Sequence, residues 1–325
     1  MGQFALVFPG QGPQHPGMGQ DLYLHHQSAR DLFTEASDVF GWDMASLCFE
    51  GPQESLDLTV NTQTSVLTVG IAALRAFSER VKAKPLVMAG HSLGEYAALH
   101  AAGAIGLRDV LALVHKRAQY HQEAVPVGVG AMAAVINLPL DVVETLCREN
   151  SRDGLSVTIS IENAPGQIVV SGNTAAVSAV IAAAGTREGG RAVLLPISVP
   201  CHSPLLKDAA DRFAELLAKA DFKDCSIPVI PNCDPSCLHS RELTRDMLFR
   251  QIICPVRWVQ TIEKMAAMGV DTIVELGPKR VMSGLIRRIN RKIRLLNVED
   301  EESLERTAAT LNGEAEEQRP SPSPA

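Results

Sequence analysis

Apolar residues recur along this chain with two distinct periods. Gln3–Phe8 is a short apolar run stopped by Pro9-Gly10, which predicts a buried strand feeding a turn. The stretch 11–19, with three glycines and two prolines, predicts a loop. Leu32, Phe33, Ala36 and Phe40 fall at helical spacing within 28–40, and a longer helical pattern rich in Ala, Leu and Val fills 61–81. A strand over 86–89 runs into Gly90–Glu95 and then into a helix over 96–102. Strand, tight turn and helix in that order form an α/β unit. A further helical pattern covers Leu107–Glu123.

The stretch 129–197 has its own rhythm. It predicts a strand over 131–136, a helix over 140–149, an alternating strand over 155–161, a strand over 168–171, a helix over 175–184 and a strand over 191–197. This βαββαβ order is that of a ferredoxin-like unit. After Pro200 the pattern predicts helix over 205–218, strand over 227–231, helices over 243–250 and 258–268, strand over 272–276, helix over 281–289 and strand over 295–298. From Glu299 the dense apolar patterning lapses, and the end alternates Pro and Ser, which predicts disorder. The expected organisation is a core of residues 1–127 and 198–298, a small subdomain of 128–197, and an acidic tail of 299–325, disordered.

Composition sharpens this picture in three places. With 325 residues, 46% of them hydrophobic, the chain can bury a sizeable core. The net charge of -7 is unevenly placed: from Glu299 onward eight acidic residues meet two basic ones, so the body before it sums to -1. A near-neutral body argues against nucleic-acid binding. The odd count of seven cysteines, with no secretory signal at the start, points to a reducing compartment and a cytoplasmic location. Cys233 and Cys237, near Cys225 and His239, lack a second close cysteine pair, so no metal site is expected. No run of 18 uncharged apolar residues is present to cross a membrane.

The chemistry begins at Gly90-His91-Ser92-Leu93-Gly94, a GxSxG motif set between strand and helix. A sharp turn there exposes the Ser92 hydroxyl, and its glycines permit tight folding. The Leu93 amide sits at the helix start, aimed at a developing oxyanion. The motif by itself suits an esterase, a lipase or a transferase equally. A serine needs a base, and His202, in Pro200-Cys201-His202-Ser203-Pro204 after a predicted strand, can reach the elbow. From pattern alone His202 is either that base or a loop histidine with ordinary hydrogen bonds.

Four further segments accompany the elbow: Phe8-Pro9-Gly10-Gln11-Gly12, Asn163-Ala164-Pro165-Gly166-Gln167, Val199-Pro200-Cys201-His202-Ser203 and Glu275-Leu276-Gly277-Pro278. Together, over residues 3 to 298, the chain resembles the malonyl-CoA:acyl-carrier-protein transacylases of fatty acid synthesis and the related acyltransferase domains of polyketide synthases. The resemblance implies an α/β-hydrolase-like large subdomain with an inserted ferredoxin-like small one. It implies a ping-pong mechanism with Ser92 as nucleophile and His202 as base. The oxyanion hole falls on the amides of Gln11 and Leu93, and the carbonyl that orients the histidine on Gln251. Arg117, otherwise readable as a surface helix residue, matches the arginine that clamps a free carboxylate by two parallel hydrogen bonds. Gln63, Asn163, His91 and Met132 fall at positions around the substrate, although a lone Met is by default a core residue.

The resemblance also implies partners. Malonyl-CoA is the substrate, no cofactor is bound, and the phosphopantetheine thiol is supplied by an acyl carrier protein. Lys279, Arg280, Arg287 and Arg288 lie in the densest basic stretch and suit an acidic carrier, or else form a solvated helix face. A monomer is expected. The alternatives are a free-standing malonyl acyltransferase serving polyketide synthase modules and, in another class, a thioester hydrolase.

Overall fold

The computed structural model describes residues 2–126, 128–197 and 199–313. In chain order the elements are β1 (Gln3–Phe8), α1 (Gln20–His25), α2 (Gln27–Phe40), α3 (Met44–Glu50), α4 (Gln53–Leu56), α5 (Thr59–Arg80), β2 (Val87–Gly90), α6 (Gly94–Ala101) and α7 (Leu107–Glu123). Then come β3 (Gly130–Ile136), α8 (Leu140–Glu149), β4 (Val157–Ala164), β5 (Gln167–Asn173), α9 (Thr174–Gly185) and β6 (Arg191–Leu194). The chain continues with α10 (Lys207–Lys219), α11 (Thr244–Ile253), α12 (Trp258–Ala267), β7 (Val270–Leu276), α13 (Val281–Ile289), β8 (Arg294–Val298) and α14 (Glu301–Asn312).

A parallel sheet of order β2-β1-β7-β8 carries the large body. Its central strand explains why the sequence begins with an unbroken apolar run. Phe4, Leu6 and Phe8 join the core on one face, while Ala5 and Val7 join the core on the other. A strand covered on both faces needs apolar residues at every position. The register pairs Phe8 with Gly90 and Val7 with Glu275. The loops after β1, β2 and β7 therefore emerge together, at the carboxyl end where open α/β sheets place their ligands.

The small body is an antiparallel sheet of order β4-β5-β3-β6, with the β-α-β-β-α-β sequence of a ferredoxin-like unit. Its own apolar cluster lies between that sheet and α8 and α9. The edge of β4 is tied to the large body by backbone bonds, Glu162 N to Val256 O and Val256 N to Ser160 O, both 2.9 Å. Mixed α/β architecture with two sheets and an inserted ferredoxin-like unit is thus the fold of the chain. Among the described residues no helix is long and apolar enough to cross a membrane.

Three expectations change. The segment 227–231 makes a single bridge, Val229 to Met88 on the open side of β2, rather than a strand. Pro228 and Pro231 supply no N–H and so cannot extend the ladder. The strand expected over 191–197 stops at Leu194, ahead of Pro196. The third correction concerns the tail. Asp300 caps α14 in a capping box with Ser303, and Leu304, Ala308 and Leu311 bury one face of the helix. That helix packs on β8, α5 and α1. The spacing 304, 308, 311 is helical, but three apolar positions among acidic ones are too few to stand out. Residues 314–325, the Pro/Ser end, lie outside the described residues.

If α14 is part of the fold, Leu304→Ala lowers the stability of the whole protein by about 2–5 kcal/mol, and Asp300→Ala lowers it by ~1 kcal/mol. Urea unfolding measures both. Unchanged midpoints in the two variants would mean that this helix adds nothing.

Candidate active site

The turn between β2 and α6 is built by its glycines. A Cβ on Gly90 would stand 1.9 Å from the Gly94 backbone, and one on Gly94 would stand 2.2 Å from Phe8 O. Both are forbidden, so the strand end, the turn and the helix start can come this close only with glycine at both positions. Ser92 sits at the apex with φ 52, in the left-handed region that costs a non-glycine residue about 1–3 kcal/mol. Asn232, fully buried, holds the strained turn: Ser92 N donates to its Oδ1 at 2.6 Å, and its Nδ2 donates to Gly90 O at 2.6 Å.

His202 Nε2 lies 2.7 Å from Ser92 Oγ, and its Nδ1 lies 2.6 Å from Gln251 O. A carbonyl only accepts, so Nδ1 carries the proton and Nε2 is left to accept the serine hydroxyl. Like Ser92, His202 has a positive φ, 56. Burial, then the Arg117 charge, then His91 push its pKa down to about 3. The ring is therefore neutral at pH 7.

Gln251 on α11 does more than offer a carbonyl. Its Nε2 donates to Ser92 O at 2.9 Å and to Glu95 Oε2 at 2.7 Å, and its Oε1 accepts from Arg117 Nη2 at 3.1 Å. Glu95 is fully buried and also accepts from Asn232 N at 3.0 Å, while its other oxygen lies 2.7 Å from His239 Nε2. Glu95, Asn232 and His239 were absent from the sequence-based candidates. Glu95 stands in the quoted elbow motif, which was a usable signal; the other two come from a segment with no motif of its own.

Arg117, on α7, is 1% exposed, which removes the surface alternative. Nη1 donates to Gln63 Oε1 at 2.6 Å, and Nη2 donates to Ser92 Oγ at 3.2 Å. Gln63 in turn donates to Gln11 Oε1 at 3.1 Å. The guanidinium carbon lies 5.4 Å from the Tyr96 ring centre. No carboxylate pairs with Arg117 among the described residues. The buried cation is thus held only by amides, a hydroxyl and a ring, without a counter-charge among the described residues.

The remaining candidates lie around this group. The Leu93 amide opens α6 beside Ser92, and the Gln11 amide follows the β1 end; neither has an acceptor among the described residues. His91 turns away from the serine, its Nε2 2.9 Å from Asn163 Oδ1 and its ring edge-on to Trp258. Burial pushes the His91 pKa down to about 4. Met132 is buried in the same apolar cluster as Val199 and Cys201. Lys279, Arg280, Arg287 and Arg288 are exposed, the first two on the loop after β7, the others in the last turn of α13; none touches the serine–histidine group. Arg288 donates to Gln167 Oε1 at 3.0 Å. Among the described residues no cluster of three metal-ligating side chains forms: Cys233 Sγ faces Met247, and His239 faces Glu95.

The buried imidazoles of His91 and His202 carry a pH consequence. Their folded pKa values lie below the ordinary 6.5, so between pH 6.5 and about 4 the unfolded chain binds protons that the folded chain refuses. Stability should be complete above pH 6.5 and fall by ~1.4 kcal/mol per pH unit for each ring as the pH drops. Urea unfolding at pH 6.5 and 5 reads the slope, and His91→Gln should make it shallower by about one proton. A midpoint that does not move across this window would contradict the neutral rings.

The acyl transferase domain family model matches residues 5–313. The malonyl CoA-acyl carrier protein transacylase of Bacillus subtilis (strain 168) is 40% identical over 314 residues, covering 97% of this chain and 99% of that protein. Its counterpart in Escherichia coli (strain K12) is 43% identical over 289 residues, covering 89% and 93%. The solved malonyl CoA-acyl carrier protein transacylase of Coxiella burnetii superposes with a TM-score of 0.92 at 41% identity, covering 96% of this chain and 98% of that one. A malonyl-transacylase solved in complex with its type II PKS acyl-carrier protein gives 0.91 at 39% identity, covering 96% and 99%. With matched segments that span the elbow, the histidine loop and the buried arginine, the chain belongs to the malonyl-CoA:acyl-carrier-protein transacylase family of acyl transferases.

Proposed function

We propose that this chain transfers malonyl from coenzyme A to the phosphopantetheine thiol of an acyl carrier protein in fatty acid synthesis, through an acyl-serine intermediate. The observation that carries the choice of acyl group is the unpaired, buried Arg117 guanidinium 3.2 Å from Ser92 Oγ. A malonyl thioester places its free carboxylate a short distance from the carbonyl under attack. Arg117 accepts that carboxylate while Ser92 meets the carbonyl carbon. Acetyl has no charge to offer and leaves the cation unpaired.

In the first half-reaction the Ser92 hydroxyl passes its proton to His202 Nε2 as Oγ bonds to the thioester carbon. The oxyanion is received by the amides of Leu93 and Gln11. Collapse breaks the carbon–sulfur bond, and coenzyme A leaves with the proton that His202 returns. The carrier thiol then gives its proton to the same nitrogen as its sulfur bonds to the acyl carbon; the carbon–Oγ bond breaks, the acyl group leaves on the carrier sulfur, and His202 returns the proton to Ser92 Oγ. No bound cofactor takes part. Substrate binding also tunes the base. The Arg117 charge helps depress the His202 pKa, so a carboxylate that neutralises Arg117 raises the affinity of Nε2 for the proton as the ester forms.

The exposed arginines and lysine at 279, 280, 287 and 288 supply positive charge for steering an acidic carrier. The protein acts as a monomer in the cytoplasm, a reading that its seven unpaired cysteines suit. Service to a polyketide carrier is the second reading, favoured by the malonyl-transacylase solved with its type II PKS acyl-carrier protein.

Intact-mass analysis after brief mixing with malonyl-CoA should show an adduct on the wild type and none on Ser92→Ala. A fatty acid synthesis carrier should discharge it, whereas discharge only by a polyketide carrier selects the second reading. Release of malonate to water with no carrier transfer would indicate a hydrolase. Arg117→Ala should lower kcat/KM for malonyl-CoA by about 100-fold or more, with acetyl-CoA spared. Equal losses for both thioesters would remove Arg117 from acyl selection.

A further inference from the structure

One buried side chain beside this site has no task in the reaction above. His121 lies on α7, one helical turn beyond Arg117 and on the same face. It is 1% exposed. Its Nδ1 stands 3.9 Å from the sulfur of Cys201, the residue before His202. Its Nε2 is fully buried and has no hydrogen-bond partner among the described residues, and the same is true of Arg117 Nε. Arg117 reaches Ser92 Oγ through Nη2, and His121 stands against the residue before His202, so these two nitrogens lie on successive turns of one helix near the serine–histidine pair. An unmet buried donor is destabilising unless something arrives to accept from it.

Burial pushes the Cys201 pKa up to about 11, so the sulfur keeps its hydrogen. A thiol can donate to Nδ1 or accept from it; a carboxylate beside Arg117 would select the tautomer in which the thiol donates to Nδ1 and the ring proton resides on Nε2. Burial, Arg117 and His202 hold His121 well below its ordinary pKa, so the ring adds a donor without adding a second positive charge. A neutral N–H next to a guanidinium suits one ligand shape: a carboxylate whose oxygens need more than one direction of donation. We propose that His121 is a specificity-determining residue that donates its Nε2 hydrogen to the free carboxylate of the acyl group bound at Arg117. This rests on the reading of the site as a malonyl site.

The proposal separates His121 from a mere filler of the wall. His121→Leu keeps the volume and removes the donor, and His121→Gln restores an N–H at similar reach. In full-chain kinetics, His121→Leu should lower kcat/KM for malonyl-CoA by about tenfold to a hundredfold, the usual worth of a hydrogen bond to a charged group. It should leave acetyl-CoA within about twofold, because no acceptor is lost there. His121→Gln should recover a substantial part of the malonyl value. Three results would overturn the idea: an unchanged malonyl kcat/KM in His121→Leu, an equal fall for both thioesters, or no recovery in a His121→Gln variant whose circular dichroism matches the wild type. Failure of the underlying reading looks different, since the wild type itself would then form its acyl adduct no better from malonyl-CoA than from acetyl-CoA.

Discussion

Glu95 is the residue on which the geometry around Ser92 rests. Its carboxylate is fully buried and collects the Gln251 amide, the Asn232 backbone N–H and the His239 ring. Two of those residues, Asn232 and Gln251, then reach back to Ser92 and His202. Asn232 holds both ends of the strained serine turn. The backbone carbonyl of Gln251 fixes the tautomer of His202. A charge taken out of water is tolerable only when its lone pairs are filled, and loss of one partner typically costs about 3–5 kcal/mol. That penalty ties three distant segments, the α6 start, the loop at 232 and α11, into one unit. The elbow can keep a positive φ at a serine because this unit over-determines it.

The same arrangement keeps two opposite charges apart. Glu95 and Arg117 both bond to the side-chain amide of Gln251, one to its nitrogen and the other to its oxygen. The amide stands between them and satisfies each without letting them pair. Were they in contact, Arg117 would be neutralised from within and would have little reason to hold an external anion. A neutral glutamine at this position thus preserves a positive charge inside the protein, next to the Ser92 hydroxyl.

Much of this was legible in the sequence, for physical reasons that differ from part to part. The apolar run at 3–8 announces a strand buried on both faces, and the glycines at 90 and 94 announce a turn whose backbone contacts exclude a Cβ. The alternation of short strands and helices over 129–197 announces the small sheet because each of its elements buries only one face. The role of Arg117 rested on family resemblance, since an arginine on an amphipathic helix looks the same whether it faces solvent or a cavity. Asn232, His239 and His121 were illegible. Each is a polar residue in a core, and its partner lies 80 to 144 positions away. Helix α14 is hard to read from sequence because its apolar positions are few and mostly small, and they follow the acidic run 299–302.

The order of strands in the large sheet has a consequence for how the molecule comes into being. β1 is made first and lies at the centre, yet one of its two neighbours is β2, paired through Val87 to Ala5, and the other is β7, paired through Ile273. Glu301 N bonds to Asp21, 280 residues earlier. During synthesis this apolar strand must therefore wait, one edge unpaired, until β7 has been made. Pairing across such separations is slow, and the open edge invites other chains. Shielding that open edge until the last strands arrive would therefore favour the finished sheet over association between unfinished chains.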